Sequence, residues 1–184
     1  KLTIICHMMK LTPDATLLGL LAERPQHGYQ LLLHFRDPAQ LGEVWNLSTS
    51  QLYAVLKRLN EQGLIEGTVF ESPEAPPRTE FSITSAGMDR LMAWLGEPEP
   101  PASIRAIRVE FLSRLYVARL LNHPIRPIMD RQRDTGGRKL ALLRAEREHF
   151  QPGVGLLALE LVIGQLEHIL VWIESCEIMG RSSG

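Results

Sequence analysis

Apolar residues recur at helical spacing along the first part of the chain, where start and stop signals mark two helices. The first is predicted from the start signal Thr12-Pro13-Asp14, with Thr12 as a hydroxyl cap, to about Glu23. The second is predicted from His27 to Arg36, where Asp37-Pro38 breaks the pattern. The chain is therefore expected to open with two short helices.

A third predicted helix carries the clearest boundary signals. Ser48 is placed to cap residues 49–62, Gln51 stands at the capping-box position, and Gly63 supplies the left-handed residue that ends a helix. The core-facing apolar positions are Leu52, Leu56 and Leu59. The other face holds Ser50, Gln51, Ala54, Lys57, Arg58 and Glu61. A helix divided in this way buries one face and leaves the other free for a partner.

After Gly63 the apolar positions alternate, as is typical of strands. Two strands are predicted at residues 64–71 and 79–83, joined by a seven-residue loop, 72–78, whose three prolines disfavour pairing. Thr84 then caps a predicted helix over residues 85–95. Its apolar stripe is Met88, Leu91, Met92 and Leu95.

The sequence Glu-Pro-Glu-Pro-Pro at residues 97–101 predicts a stiff extended linker. Residues 9–95 are expected to form one domain, residues 96–102 the linker, and residues 103–184 a helical dimerisation domain. Residues 1–8 are interpreted as a vector-derived or extra N-terminal segment.

Three helices are predicted beyond the linker. They run from the Ser103 cap to about Leu121, from about Pro127 to Phe150 with a break or kink at Gly136-Gly137, and from Gly155 to about Ile178. The first and last carry wide apolar stripes, made of Ile104, Ile107, Phe111, Leu115 and Ala118 and of Leu159, Val162, Ile163, Leu166, Ile169, Leu170 and Ile173. Two such stripes cannot cover each other completely, so a second copy of the chain is expected against them. A monomeric three-helix bundle is the alternative.

Composition narrows the class of protein. The chain has 184 residues, is 45% hydrophobic and 22% charged, and has a net charge of -1, as a soluble globular protein would. Its two cysteines, Cys6 and Cys176, favour a reducing cytoplasm over a secreted disulfide framework. No membrane span is expected, because the most apolar run, 155–173, includes Glu160 and Glu167.

The sequence contains no convincing catalytic or metal-binding motif. Glu146 and His149 form one Glu-x-x-His pair, but a di-iron site needs a second copy of that pair and further carboxylates. Phosphate-binding loops, nucleophile elbows and zinc-protease motifs are missing from the sequence. We therefore expect neither enzymatic activity nor a cofactor or metal.

The predicted order of three helices, two strands and a closing helix makes a winged helix-turn-helix, so the expected fold is mainly α with a small β-wing. In such a fold the third helix can enter the major groove of DNA, which is about 12 Å wide. The motifs Leu18-Gly19-Leu20-Leu21, Pro25-x-His27-Gly28-Tyr29-x-Leu31, Leu52-Tyr53-x-x-Leu56-x-Arg58-Leu59-x-x-x-Gly63-Leu64-Ile65 and Ile83-Thr84-x-x-Gly87 resemble the PadR family of bacterial transcriptional regulators. The resemblance covers most of residues 13–95. It implies a homodimer that represses transcription from a near-palindromic operator and releases the operator when a small aromatic or other ligand binds.

Candidate contact residues follow from the third helix and from the resemblance. The predicted DNA-binding residues are Tyr29, Ser48, Thr49, Gln51, Tyr53, Lys57, Arg58 and Arg78. Trp94 is a candidate wall of an effector pocket or a core residue. Trp45 is expected to act as a hydrophobic staple and His27 to be structural.

The charge of the predicted winged helix complicates this interpretation. Residues 10–95 hold seven basic and ten acidic residues, a net charge of -3. The wing offers one arginine, Arg78, where the resembling family commonly has several basic residues. A winged helix that binds protein is therefore the second hypothesis, and a ligand-binding helical protein with a vestigial winged helix is the third.

Overall fold

Eight α-helices, one π-helical turn and three strands follow one another in the computed structural model, which describes residues 11–72 and 75–181. In chain order they are α1 (Asp14–Glu23), β1 (Gln26–His27), α2 (Gly28–His34), α3 (Thr49–Glu61), β2 (Ile65–Ser72), β3 (Ala75–Ile83), α4 (Ser85–Leu95), α5 (Ile104–Ala106), the π-helical turn (Ile107–Phe111), α6 (Leu112–Leu120), α7 (Arg126–Arg147) and α8 (Val154–Arg181). The mainly α fold with a small sheet is confirmed. Residues 1–8, interpreted above as an added segment, lie outside the described residues.

The start of α1 differs from the prediction. The helix begins at Asp14 with Pro13 at the N-cap, and the Pro13 carbonyl accepts a hydrogen bond from the Leu17 amide at 2.8 Å. No side-chain cap is present, so the prediction of Thr12 as a hydroxyl cap is wrong. The four apolar residues that predicted α1 are all buried: Leu17, Leu18, Leu20 and Leu21.

Helix α3 follows its local signals closely. The Ser48 hydroxyl accepts a hydrogen bond from the Gln51 amide at 3.2 Å, and the Gln51 side chain accepts one from the Ser48 amide at 2.9 Å. Gly63 has a φ of 68°, which favours glycine and ends the helix. The predicted cap, capping box and stop are confirmed.

The sheet has the order β1-β3-β2 and is antiparallel throughout. The seven-residue loop predicted at 72–78 is wrong, because β3 begins at Ala75 and Phe70 pairs with Arg78. Only Phe81 and Glu80 of β3 pair with β1, so the start of β3 has no neighbouring strand on that side. Prolines are tolerated there, because no partner strand requires the N–H that proline lacks. A register irregularity between Phe70 and Ser72 accommodates the turn.

Helix α4 matches its prediction in extent but not in every core position. The Thr84 hydroxyl accepts a hydrogen bond from the Gly87 amide at 3.1 Å and caps the helix. Leu91 and Leu95 are buried, whereas Met92 is 41% exposed and lies outside the core.

The long helices of the C-terminal half differ from the sequence prediction in two places. Residues 104–120 form one helical segment that contains the π-helical turn, a feature often found at functional sites. Helix α7 runs without interruption through Gly136 and Gly137, so the predicted break is wrong. At Gly136 an added Cβ would lie 2.8 Å from Leu170 Cδ2, and the glycine therefore permits close packing of α7 against α8.

The buried core runs without interruption from the winged helix into the C-terminal half. An added Cβ at Gly19 in α1 would lie 2.3 Å from Val117 Cγ1 in α6. The Trp45 indole donates to the Ser113 hydroxyl at 2.8 Å, and the Tyr116 hydroxyl donates to the Gln40 side chain at 2.6 Å. The two halves therefore pack directly on each other, while the division at residues 96–102 stays a prediction.

One described helix is long and apolar enough to cross a membrane. It spans Val154–Cys176 in α8, with a mean hydropathy of 1.8, contrary to the expectation for this segment. Its carboxylates Glu160 and Glu167 each pair with an arginine of α7, at 2.7 Å in both cases. Core helices of soluble proteins have the same length and composition.

Candidate nucleic-acid interface

The exposed face of α3 is polar and carries Lys57 near its centre. Lys57 has a side chain that is 78% exposed, and its ammonium group lies 3.8 Å from a carboxylate oxygen of Glu61. Such a surface pair is weak and readily exchanged, because water screens both charges. Lys57 is therefore available to a phosphate or a base edge.

Arg58 is already engaged within the chain. Its Nη2 donates to both carboxylate oxygens of Asp14 at 2.7 Å, and its Nε donates to one of them at 3.1 Å. Asp14 stands at the start of α1, so this ion pair joins α1 to α3 and offsets the charge of Arg58. The sequence could not reveal the pair, because the two residues are 44 positions apart.

Two exposed tyrosines lie on the neighbouring helices α2 and α3. Tyr29 in α2 is 61% exposed and Tyr53 in α3 is 47% exposed. An added Cβ at Gly28 would lie 2.8 Å from the Tyr53 hydroxyl oxygen, so the tyrosine crosses the start of α2 where glycine leaves room. Both side chains are exposed, and a tyrosine hydroxyl can donate to a phosphate oxygen.

The residues at the start of α3 are exposed, but several already have partners. Ser48 and Gln51 satisfy each other's backbone amides in the capping box. The Thr49 hydroxyl accepts a hydrogen bond from Arg36 Nη2 at 3.2 Å. Arg36 is exposed, and its bond to Thr49 places a cation beside the predicted contact residues at the start of α3.

The wing carries the last predicted contact residue. Arg78 is exposed and lies in β3 opposite Phe70, which is 52% exposed. His27 faces the same strand, with its Nδ1 atom 3.1 Å from the Thr79 carbonyl. This bond fits the structural role predicted for His27.

Trp94 lies at a cavity between the winged helix and the C-terminal half. The cavity measures about 420 Å³ and is also lined by Trp45, Glu110 and Ser113. The Trp94 indole donates to Glu110 at 3.2 Å, and the guanidinium carbon of Arg114 lies 5.0 Å from its ring centroid. Trp94 therefore holds the junction together and also lines the cavity.

Arg114 is 2% exposed and bonds to Glu110 at 2.9 Å. Desolvation by burial lowers the pKa of Arg114, although the Glu110 carboxylate opposes that shift. The pair therefore links the cavity-lining residue Glu110 to a buried cation.

The first half of the described chain consists of three helices, a small antiparallel sheet and a closing helix, and the third helix has an exposed polar face. This arrangement defines a winged helix-turn-helix protein. Residues 17–93 match the family described as "Transcriptional regulator PadR-like family", and this part of the chain is a domain of that family. The family is one of transcriptional regulators, not of enzymes.

Individual relatives match at lower coverage. The chain is 28% identical over 106 residues to the negative transcriptional regulator PadR of Bacillus subtilis, covering 54% of this chain and 53% of the relative. It is 26% identical over 89 residues to a probable transcriptional regulator of Mycobacterium tuberculosis, covering 48% and 46% of the two chains. The chain thus spans about half the length of these curated relatives.

A solved structure of Bacillus subtilis PadR in complex with operator DNA is 23% identical, with a TM-score of 0.45. The match covers 90% of this chain and 96% of that one.

Proposed function

We propose that this chain is a sequence-specific DNA-binding transcriptional regulator that acts as a homodimeric repressor in the cytoplasm. The observation that carries the proposal is the free polar face of α3, on which Lys57 is 78% exposed and flanked by Tyr53. A capped helix with one face buried and the other exposed has the shape that a major groove accepts. The PadR-like domain at residues 17–93 supports this function.

Most of the two apolar stripes that predicted a partner is buried within the single chain; Phe111 and Leu166, for example, are each 1% exposed. Support for a second copy comes instead from the other side of α8. Leu157 and Leu161 are 65% and 63% exposed and lie on the side of the helix away from α7. Val154 and Trp172 extend this surface, which we call the α8 stripe, at helical spacing. Gln165 and His168, both exposed, interrupt the stripe between Leu161 and Trp172. The apolar residues on either side of them are costly to expose to water, and a second α8 would bury them by two-fold symmetry.

The proposed mechanism depends on the separation of the two α3 helices. They must lie about 34 Å apart to enter successive major grooves on one side of the duplex. The segment from Thr84 to Leu121 connects each winged helix to the rest of its subunit and so sets this distance.

A small planar ligand is proposed as the effector, with the cavity beside Trp94 as its site. A ligand that favours a dimer with another α3 separation would lower operator affinity by population shift. Operator affinity should therefore fall when such a ligand quenches the fluorescence of Trp94. Equal operator affinity with and without a ligand bound at saturation would contradict this mechanism.

DNA binding itself is tested by selection from random duplex DNA, followed by fluorescence anisotropy over a range of salt concentrations. We expect an inverted repeat whose affinity falls steeply with salt. Lys57→Ala should reduce the log–log salt slope by roughly 2 for a dimer, at about 0.9 per lost phosphate contact. The matched control is Lys139→Ala in α7, which should leave the slope unchanged.

Absence of any enriched sequence, together with weak binding at low salt, would overturn the proposal. The acidic balance of residues 10–95 would then favour a winged helix that binds protein.

A further inference from the structure

A groove runs between α3 and the first helical turns of the C-terminal half. It has a volume of about 870 Å³. Gln51, Ala54 and Arg58 line it from α3, and Arg105 and Arg108 line it from the opposite side. The residues on the α3 side belong to the polar face that we propose enters the DNA.

The groove has an uncompensated positive charge. Arg105 and Arg108 are exposed, and within residues 11–72 and 75–181 neither makes a hydrogen bond or an ion pair. Arg58, the third arginine of the groove, is neutralised by Asp14 at 2.7 Å. The free charge of this groove therefore belongs to Arg105 and Arg108.

The helical segment holds the two arginines at the surface. Ala106, Ile107 and Val109 are buried, being 4%, 2% and 8% exposed, and they anchor this side of the segment in the core. Arg105 and Arg108 are three positions apart, so both side chains lie on one face of the segment. Two guanidinium groups on a fixed backbone match a row of phosphates better than two flexible lysines would.

We propose that Arg105 and Arg108 bind the phosphate backbone that borders the major groove occupied by α3. This inference rests on the proposed function and extends the DNA interface from the winged helix into the C-terminal half. Charge complementarity identifies the partner as a polyanion, because the groove presents the free positive charges of Arg105 and Arg108. These charges supply what the winged helix lacks, since residues 10–95 carry a net charge of -3. The arginines contribute affinity and register, because phosphate contacts are the same for every sequence.

The experiment compares the unaltered chain with its Arg105→Ala/Arg108→Ala variant on the selected operator and on random duplex DNA. A dimer would lose four phosphate contacts, so the log–log salt slope should become shallower by about 3 to 4. The ratio of operator affinity to random-DNA affinity should stay unchanged. Arg105→Lys/Arg108→Lys should retain most of the slope, and Arg119→Ala in α6, also an exposed arginine, should retain all of it.

Thermal unfolding is measured for every variant. If the alanine variant unfolds at a lower temperature, Arg105→Gln/Arg108→Gln, which keeps most of the aliphatic stems, replaces it in the same comparison. An unchanged slope in a folded variant overturns this proposal. A wild-type chain that shows no salt-dependent DNA binding overturns the proposed function instead.

Discussion

Gly19→Ala is expected to destabilise the folded chain by about 2–3 kcal/mol. The added methyl group would lie 2.3 Å from Val117 Cγ1 and 2.6 Å from Cγ2, where α1 packs against α6. Val117 is fully buried and β-branched, so it cannot rotate away without a new clash. Urea unfolding of the single variants Gly19→Ala and Val117→Ala and of the double variant measures the effect.

The double variant separates this packing effect from others. Val117→Ala removes both methyl groups that clash. The double variant should therefore be about 1–3 kcal/mol more stable than is expected from adding the stability losses of the two single variants. Gly137→Ala is the control, because no atom lies within 4 Å of its added Cβ and alanine favours the helix. Strict additivity of the two changes would show that α1 and α6 are not in contact in solution.

Leu161→Asp is expected to convert the proposed dimer into monomers and to reduce affinity for a two-half-site operator by a factor of about 100 or more. Leu161 lies near the centre of the α8 stripe and is 63% exposed in the single chain. A buried carboxylate without a partner would be costly in a dimer and costs nothing in a monomer. Two linked half-site contacts gain about 100- to 10,000-fold over one. Sedimentation velocity gives the mass, and anisotropy gives the affinity.

A single half-site should distinguish lost dimerisation from lost folding. The variant should bind a half-site duplex as one wild-type subunit does. The control, Met92→Asp, changes another exposed apolar residue, which is on α4 and 41% exposed, and should remain dimeric. A wild-type chain that sediments as a monomer at micromolar concentration, or a Leu161→Asp variant that remains a dimer, would contradict the expectation.

Local chemistry made α3 predictable. Its cap, capping box and glycine stop all lie within sixteen consecutive residues, 48–63, and each acts on its immediate neighbours. The apolar spacing of Leu52, Leu56 and Leu59 then determines which face is buried. The candidate contact Lys57 follows directly, because its direction on the helix is fixed once the buried face is known.

Features that depend on distant residues were not predictable in this way. Strand β1 has only two residues and exists because Gln26 and His27 pair with β3. The neutralisation of Arg58 depends on Asp14 in another helix. Helix α7 continues through Gly136 because that glycine meets Leu170 of α8, so tertiary packing outweighs the low helix propensity of glycine.

The contact between α1 and α6 also decides how the protein would tolerate changes in its operator. If the winged helices were attached by flexible tethers, they could follow two half-sites moved apart by an inserted base pair, with little loss of avidity. Gly19 packed on Val117, together with the Trp45–Ser113 bond, leaves no such slack. An inserted base pair both lengthens the site and rotates one half-site around the duplex. In the proposed dimer, half-site spacing, and not only base sequence, would therefore determine which promoters are recognised.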